Sequence, residues 1–150
     1  MQALSNPNKP VRVLATGVFD LLHIGHINFL EYAKAQGDYL IVGVASDLCC
    51  QRNKQTLPTI PEAQRLRVIK SLKMVDEVML SKAAMIDTEL ALDWIASLQP
   101  HRVVTSIEWQ GSSRWTALEA ELTLKGVQVI YAPRTEGISS TEIKCRITNY

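Results

Sequence analysis

Apolar runs of strand length alternate along this chain with stretches whose apolar residues recur every three or four positions. Residues 11–16 read as a buried strand. Residues 27–36 are amphipathic and read as the first helix, ended by Gly37 at the usual place just past a helix. Residues 39–44 are apolar without a break, the pattern of a central parallel strand covered on both faces. Residues 46–60 form a polar loop carrying Arg52 and Lys54. Pro61 then opens a helix at the position where its fixed φ and missing amide cost nothing, with Leu66, Ile69 and Leu72 in helical spacing. A short strand follows at 78–80. A helix at 86–98 puts Ile86, Leu90, Trp94 and Leu98 on one core-facing stripe. The fourth strand is 102–106, then come a loop at 107–114, a helix at 115–125 stopped by Gly126, and the fifth strand at 127–131. A second glycine-containing loop, 134–140, leads into a final short helix at 141–147.

Five strands separated by helices imply right-handed crossovers and a Rossmann-like three-layer α/β/α fold with a five-stranded parallel sheet. Ligands in such folds sit at the carboxyl ends of the strands, where the strand order reverses. At 150 residues there is room for one domain, 11–150, behind a short polar tail at 1–10. That tail has neither the positive flank nor the apolar core of a signal peptide.

Composition changes this picture little. An apolar share of 47% and a charged share of 21% are those of an ordinary globular protein. A net charge of +1 argues against a nucleic-acid partner or a polybasic membrane anchor, and no apolar run is long enough for membrane insertion. Cys49 and Cys50 are adjacent and Cys145 is distant, so neither metal-ligand spacing nor a disulfide framework emerges. The expected setting is the reducing cytoplasm.

The chemistry is concentrated in two loops at one sheet edge. Gly17-Val18-Phe19-Asp20-Leu21-Leu22-His23-Ile24-Gly25-His26 joins the first strand to the first helix, where backbone amides gather at the positive end of a helix and hold phosphate. His23 should precede the helix and His26 lie in its first turn, so that both imidazoles reach one anion. Gly25 lacks a Cβ and would let a nucleotide lie close to the backbone. Arg134-Thr135-Glu136-Gly137-Ile138-Ser139-Ser140-Thr141 is the second loop. Alone it is ordinary helix-start chemistry. Facing the first loop, with an Arg able to fork two phosphate oxygens, it completes a two-sided triphosphate cradle.

These two motifs, with Ala33-Lys34, Gly37-Asp38-Tyr39-Leu40 and Val75-Asp76-Glu77-Val78, resemble the cytidylyltransferases of the His-x-Gly-His nucleotidyltransferase superfamily, most closely the glycerol-3-phosphate type. The resemblance covers nearly the whole chain. It implies transfer of a nucleotidyl group from CTP to a phosphorylated alcohol, giving a CDP-linked product and pyrophosphate, with Mg²⁺ carried mainly on the nucleotide phosphates. It implies that His23, His26 and Arg134 are catalytic. Gly17, Val18, Phe19, Gly25, Trp109, Thr135, Gly137, Ile138, Ser139, Ser140 and Thr141 would bind nucleotide, and Lys54, Arg65 and Lys82 the acceptor phosphate. Relatives are commonly homodimers.

The resemblance departs at Val18, where Thr or Ile is usual, and at Ser106-Ile107-Glu108-Trp109, where the glycerol-3-phosphate enzymes have Gly-Asp-Asp-Trp. Two alternatives therefore stay open. One is an ATP-dependent adenylyltransferase of sugar-phosphate or flavin type. The other is a regulatory relative that binds nucleotide without turnover. Class I aminoacyl-tRNA synthetases share His-x-Gly-His, but this chain is too short and lacks a basic stripe for RNA.

Overall fold

A computed structural model describes residues 8–54, 56–83 and 87–150, except for the side chains at 53 and 54. Its strands are β1 (Arg12–Gly17), β2 (Tyr39–Ala45), β3 (Glu77–Ser81), β4 (Arg102–Ser106) and β5 (Gln128–Ala132). Its helices are α1 (Ile24–Lys34), α2 (Asp47–Lys54), α3 (Glu62–Lys70), α4 (Thr88–Leu98), α5 (Ser113–Leu124) and α6 (Ser140–Thr148), with a single 3-10 turn at Ile107–Trp109. The strands form one parallel sheet in the order β3-β2-β1-β4-β5. The order reverses between β1 and β4, which places the ligand crevice beyond their carboxyl ends.

Alternation along the strands divides the core in two. Val13, Ala15, Leu40, Val42, Val44 and Val104 point to one face and pack with Leu30, Ala33 and Ile69 of α1 and α3. Leu14, Ile41 and Val103 point to the other and pack with Ala91, Ile95, Trp115, Leu118 and Leu122 of α4 and α5. The expected three-layer α/β/α arrangement is what is found.

Three details differ from expectation. The polar segment 46–60 contains α2. Its start is stabilised where no periodicity shows it: the Ser46 hydroxyl accepts the Cys49 amide, and Asp47 and Glu62 accept each other's backbone amides at 3.2 and 3.0 Å. Two helix beginnings thus cap one another. In α4 the buried stripe is Ala91 and Ile95, whereas Leu90 is 57% exposed, and Ile86 lies outside the described residues. Finally, α3 ends at Lys70, because the Ser71 amide already closes the last turn onto the carbonyls of Arg67 and Val68.

Candidate active site

The first loop leaves β1 through two residues in the left-handed region, Phe19 at φ 56° and Leu21 at φ 52°. Non-glycine residues there cost roughly 1–2 kcal/mol each, so the surroundings must hold them. Asp20, between them, is the clamp. Its buried carboxylate accepts the amides of Thr59 at 2.7 Å and Ile60 at 2.9 Å, its backbone carbonyl accepts the Ser140 hydroxyl at 2.7 Å, and the Lys144 ammonium stands 3.5 Å away. Burial would raise the Asp20 pKa, but the two amides and Lys144 outweigh it and hold the carboxyl below its usual range. Phe19 is buried against the rings of His26 and Phe29.

The two histidines follow from the way α1 begins. His23 is the N-cap: its Nδ1 accepts the Gly25 amide at 3.0 Å, while His26 Nδ1 accepts the His23 amide at 3.2 Å. Each ring spends Nδ1 as an acceptor, so each neutral imidazole keeps its proton on Nε2. The ring centroids are 3.9 Å apart. Burial lowers both pKa values. For His26 burial acts first, His23 adds to it, Asp20 opposes it, and the result is about 4. Near neutral pH both rings are uncharged donors.

Gly25 has a reason other than the expected approach of a nucleotide. A Cβ there would lie 2.7 Å from His23 Cε1 and 2.9 Å from its Nδ1, so any side chain would displace the capping imidazole. The glycine serves the histidine.

The second loop turns at Gly137, at φ 81°, where an L side chain would be strained. Ser139 caps α6, its hydroxyl accepting the Glu142 amide, and Thr135 accepts a hydrogen bond from Asn28 of α1 at 3.0 Å. The Arg134 guanidinium is 56% exposed, and its Nε lies 3.9 Å from a Glu108 carboxylate oxygen, a loose pair that an anion can displace. Trp109 stands beside Arg114, whose guanidinium lies 5.0 Å from the ring centre.

These loops enclose a cleft of about 420 Å³ across the carboxyl ends of the strands. Of the expected nucleotide contacts, Gly17, Val18, Phe19, His23, Gly25, His26, Trp109, Arg134, Thr135, Ile138, Ser139, Ser140 and Thr141 line it; Gly137 shapes the turn behind them. The acceptor set fares differently. Arg65 is corrected from acceptor ligand to structural residue: its guanidinium is wholly buried and donates to the carbonyls of Ile60, Val18 and Ala45 and to Asp47. With those partners it has no face left for a substrate. Lys82 is exposed at the end of β3, and the cleft is lined by Ser81 and Ala83 on either side of it but not by Lys82 itself. The Lys54 side chain lies outside the described residues.

Sequence reasoning missed Asp20 and Lys144. Asp20 was in the first motif, and Lys144 comes one helical turn after Ser140, so helical spacing from the second motif was the available signal. Among the described residues no three His, Cys, Asp or Glu side chains converge to hold a metal, and no helix is long and apolar enough to cross a membrane.

Comparison with known proteins agrees with this fold. The cytidylyltransferase-like family model matches residues 14–146. An FAD synthase of Archaeoglobus profundus is 38% identical over 144 residues, covering 93% of this chain and 87% of that relative. An FAD synthase of Thermococcus onnurineus is 50% identical over 82 residues, so the match spans about half of either chain, 55% of each. A crystal structure of a lipopolysaccharide core biosynthesis protein from Thermoplasma volcanium superposes with a TM-score of 0.67 at 31% identity, over 85% of this chain and 98% of that one. Pantoate-beta-alanine ligase from Francisella tularensis, at 15% identity and a TM-score of 0.62 over 96% of this chain and 71% of its own, shares the fold alone.

Proposed function

We infer the function from one premise: this chain belongs to the cytidylyltransferase-like family. It is a nucleotidyltransferase, and our reading is that it transfers the adenylyl group of ATP to FMN, giving FAD and pyrophosphate. The expected pairing of CTP with glycerol-3-phosphate gives way to the flavin alternative. The observation that carries the choice is the FAD synthase relative matched over 93% of the chain. The cleft supports it, because among the described residues that line it beside β2 and β3 none is charged, a poor seat for a small phosphorylated polyol.

In this reading a phosphate oxygen of FMN attacks the α-phosphorus of ATP in line as the bond to the bridging oxygen of pyrophosphate breaks. The attacking group is already an anion, so no general base is needed. The protein's part is placement and neutralisation of developing charge. His23 and His26 donate Nε2–H to the phosphate being transferred, with tautomers fixed in advance by the helix start. Arg134, Lys144 and the free amides at the start of α6 receive the departing pyrophosphate.

Mg²⁺ was expected to travel on the nucleotide phosphates. The described residues offer it no cage, and both Asp20 oxygens are already taken by amides.

The deciding experiment crosses ATP and CTP with FMN and glycerol-3-phosphate, measuring pyrophosphate and the nucleotide product by chromatography. Equal amounts of FAD and pyrophosphate from ATP with FMN alone are expected. Turnover of CTP with glycerol-3-phosphate in their place would overturn the reading.

A further inference from the structure

We propose that Asn28 is a positioning residue for the nucleotide: through Thr135 it holds the second loop against α1, so that Arg134 meets the triphosphate at a fixed spacing from the two imidazoles. The proposal rests on the reading of a nucleoside triphosphate as donor, whichever acceptor is used.

The second loop leaves β5 after Ala132 and enters α6 at Ser140, where the Ser140 hydroxyl fixes its far end by donating to the Asp20 carbonyl. Little holds it between those ends. Among the described residues, 134–138 make no backbone–backbone hydrogen bond. Gly137 turns the chain at φ 81° with nothing near the place of a Cβ. Arg134 stands 3.9 Å from Glu108, and both side chains are exposed, so that pair is too loose to fix a loop. Ile138 lies beside Gly25, but an apolar contact has no direction. What remains is the hydrogen bond that the Asn28 amide nitrogen donates to the Thr135 hydroxyl at 3.0 Å, between residues 107 apart in the chain.

That bond survives either orientation of the Asn28 amide, since a hydroxyl both donates and accepts. Its position gives it a function. Asn28 lies on α1 just past His26, and the first turn of that helix holds both imidazoles. Thr135 directly follows Arg134. The bond therefore ties the helix of the histidines to the neighbour of the guanidinium. Thr135 lines the cleft and Asn28 does not, so Asn28 acts on a substrate through Thr135. Two loops that grip one triphosphate must keep their spacing, and a loop held in place beforehand loses less freedom on binding.

The test uses the whole protein with Asn28→Leu, Thr135→Val and the two combined. Leucine and valine keep the sizes and remove the bond. Each single variant should raise the KM for ATP by about two- to tenfold, the range of one net hydrogen bond. The double variant should be no worse than the more affected single one, since the bond can be lost only once. Calorimetry should show tripolyphosphate bound more weakly by Asn28→Leu, by the same factor as the KM for ATP. Binding of AMP, which lacks the outer phosphates, should stay within about twofold, and the thermal midpoint within about 2 °C, as for an ordinary surface change. Asn28→Leu using ATP like the parent would overturn the proposal. So would single effects that multiply in the double variant, or equal weakening of AMP and tripolyphosphate. Tripolyphosphate binding needs no acceptor, so a parent protein that makes no FAD would remove the flavin reading and leave this test in force.

Discussion

The two halves of the cleft are built by opposite means. On the side of β1, β4 and β5 the proposed function rests on groups that are present: two capping imidazoles, Arg134, Lys144 and the start of α6. On the side of β2 and β3 the described lining, Ala45, Leu57, Ser81 and Ala83 among it, carries no charge. The first half is assembled locally, since a helix cap fixes each histidine within three residues of itself. The second half exists only once β2 and β3 are in register, with Ala45 opposite Ser81. Preorganised donors favour chemistry at phosphorus, whereas an uncharged wall offers contact alone.

The largest expected effect strikes the first half. Losing one fixed donor to a transition-state oxygen costs about 10²- to 10³-fold in turnover, roughly 2.7–4 kcal/mol. His23→Ala and His26→Ala should each lose that much kcat, measured as FAD formation at saturating substrates. Each also removes a cap contact of α1, worth about 0.5–2 kcal/mol of stability. Variants with normal kcat would show that the imidazoles serve only as helix caps, and the contrast between the halves would collapse.

Arg134→Lys comes next. A lysine keeps the charge and loses the planar fork, and a hydrogen bond to a charged group is worth about 1.5–3 kcal/mol. ATP use, as kcat/KM, should fall by about tenfold or somewhat more. Because Arg134 is more than half exposed and only loosely paired with Glu108, thermal stability should not change. Unaltered ATP titration in this variant would reduce the second loop to a helix entry.

What could be read in the sequence follows the same division. Gly17 to His26 and Arg134 to Thr141 announce themselves because each carries its chemistry within one loop and one helix start. The strands were legible because unbroken apolar runs have few other uses in a chain of this size. Arg65 was misread because a lone arginine gives no sign that three carbonyls and Asp47 will surround it after folding. Helix α2 was missed for a related reason: its start is secured by Glu62, fifteen residues away. The packing of Gly43 had no signature at all, since nothing in a small strand residue shows that the Trp94 ring will cover it.

A smaller effect separates the imidazoles from the rest of the cleft by pH. His26 takes up a proton near 4 when folded and near 6.5 when unfolded. Between those values the unfolded chain holds a proton that the folded chain refuses, so stability should fall as pH drops from about 6.5 toward 4. Above 6.5 neither form is protonated and the dependence vanishes. Asp20 acts in a lower window: its depressed pKa stabilises the fold above its ordinary value of 3.8 and that gain is lost as pH falls through the folded value. Thermal midpoints of the parent and of His26→Gln across pH 4–7 check the assignment. A slope unchanged in His26→Gln would assign it elsewhere.

The smallest expected effect is at Lys82, and it tests the second half most directly. If acceptor recognition there depended on a cation, Lys82 would be the candidate, standing at the end of β3 between two residues that line the cleft. Yet its side chain is exposed and does not itself line the cleft. An exposed charge of this kind contributes about 0–1 kcal/mol, so Lys82→Ala should raise the KM for FMN by no more than about fivefold and leave that for ATP alone. An FMN phosphate poised to attack beside His23 and His26 lies at β1, two strands away from Lys82. A hundredfold rise in the KM for FMN would move that phosphate to the β3 edge. The uncharged lining beside β2 and β3 would then not be what receives the acceptor.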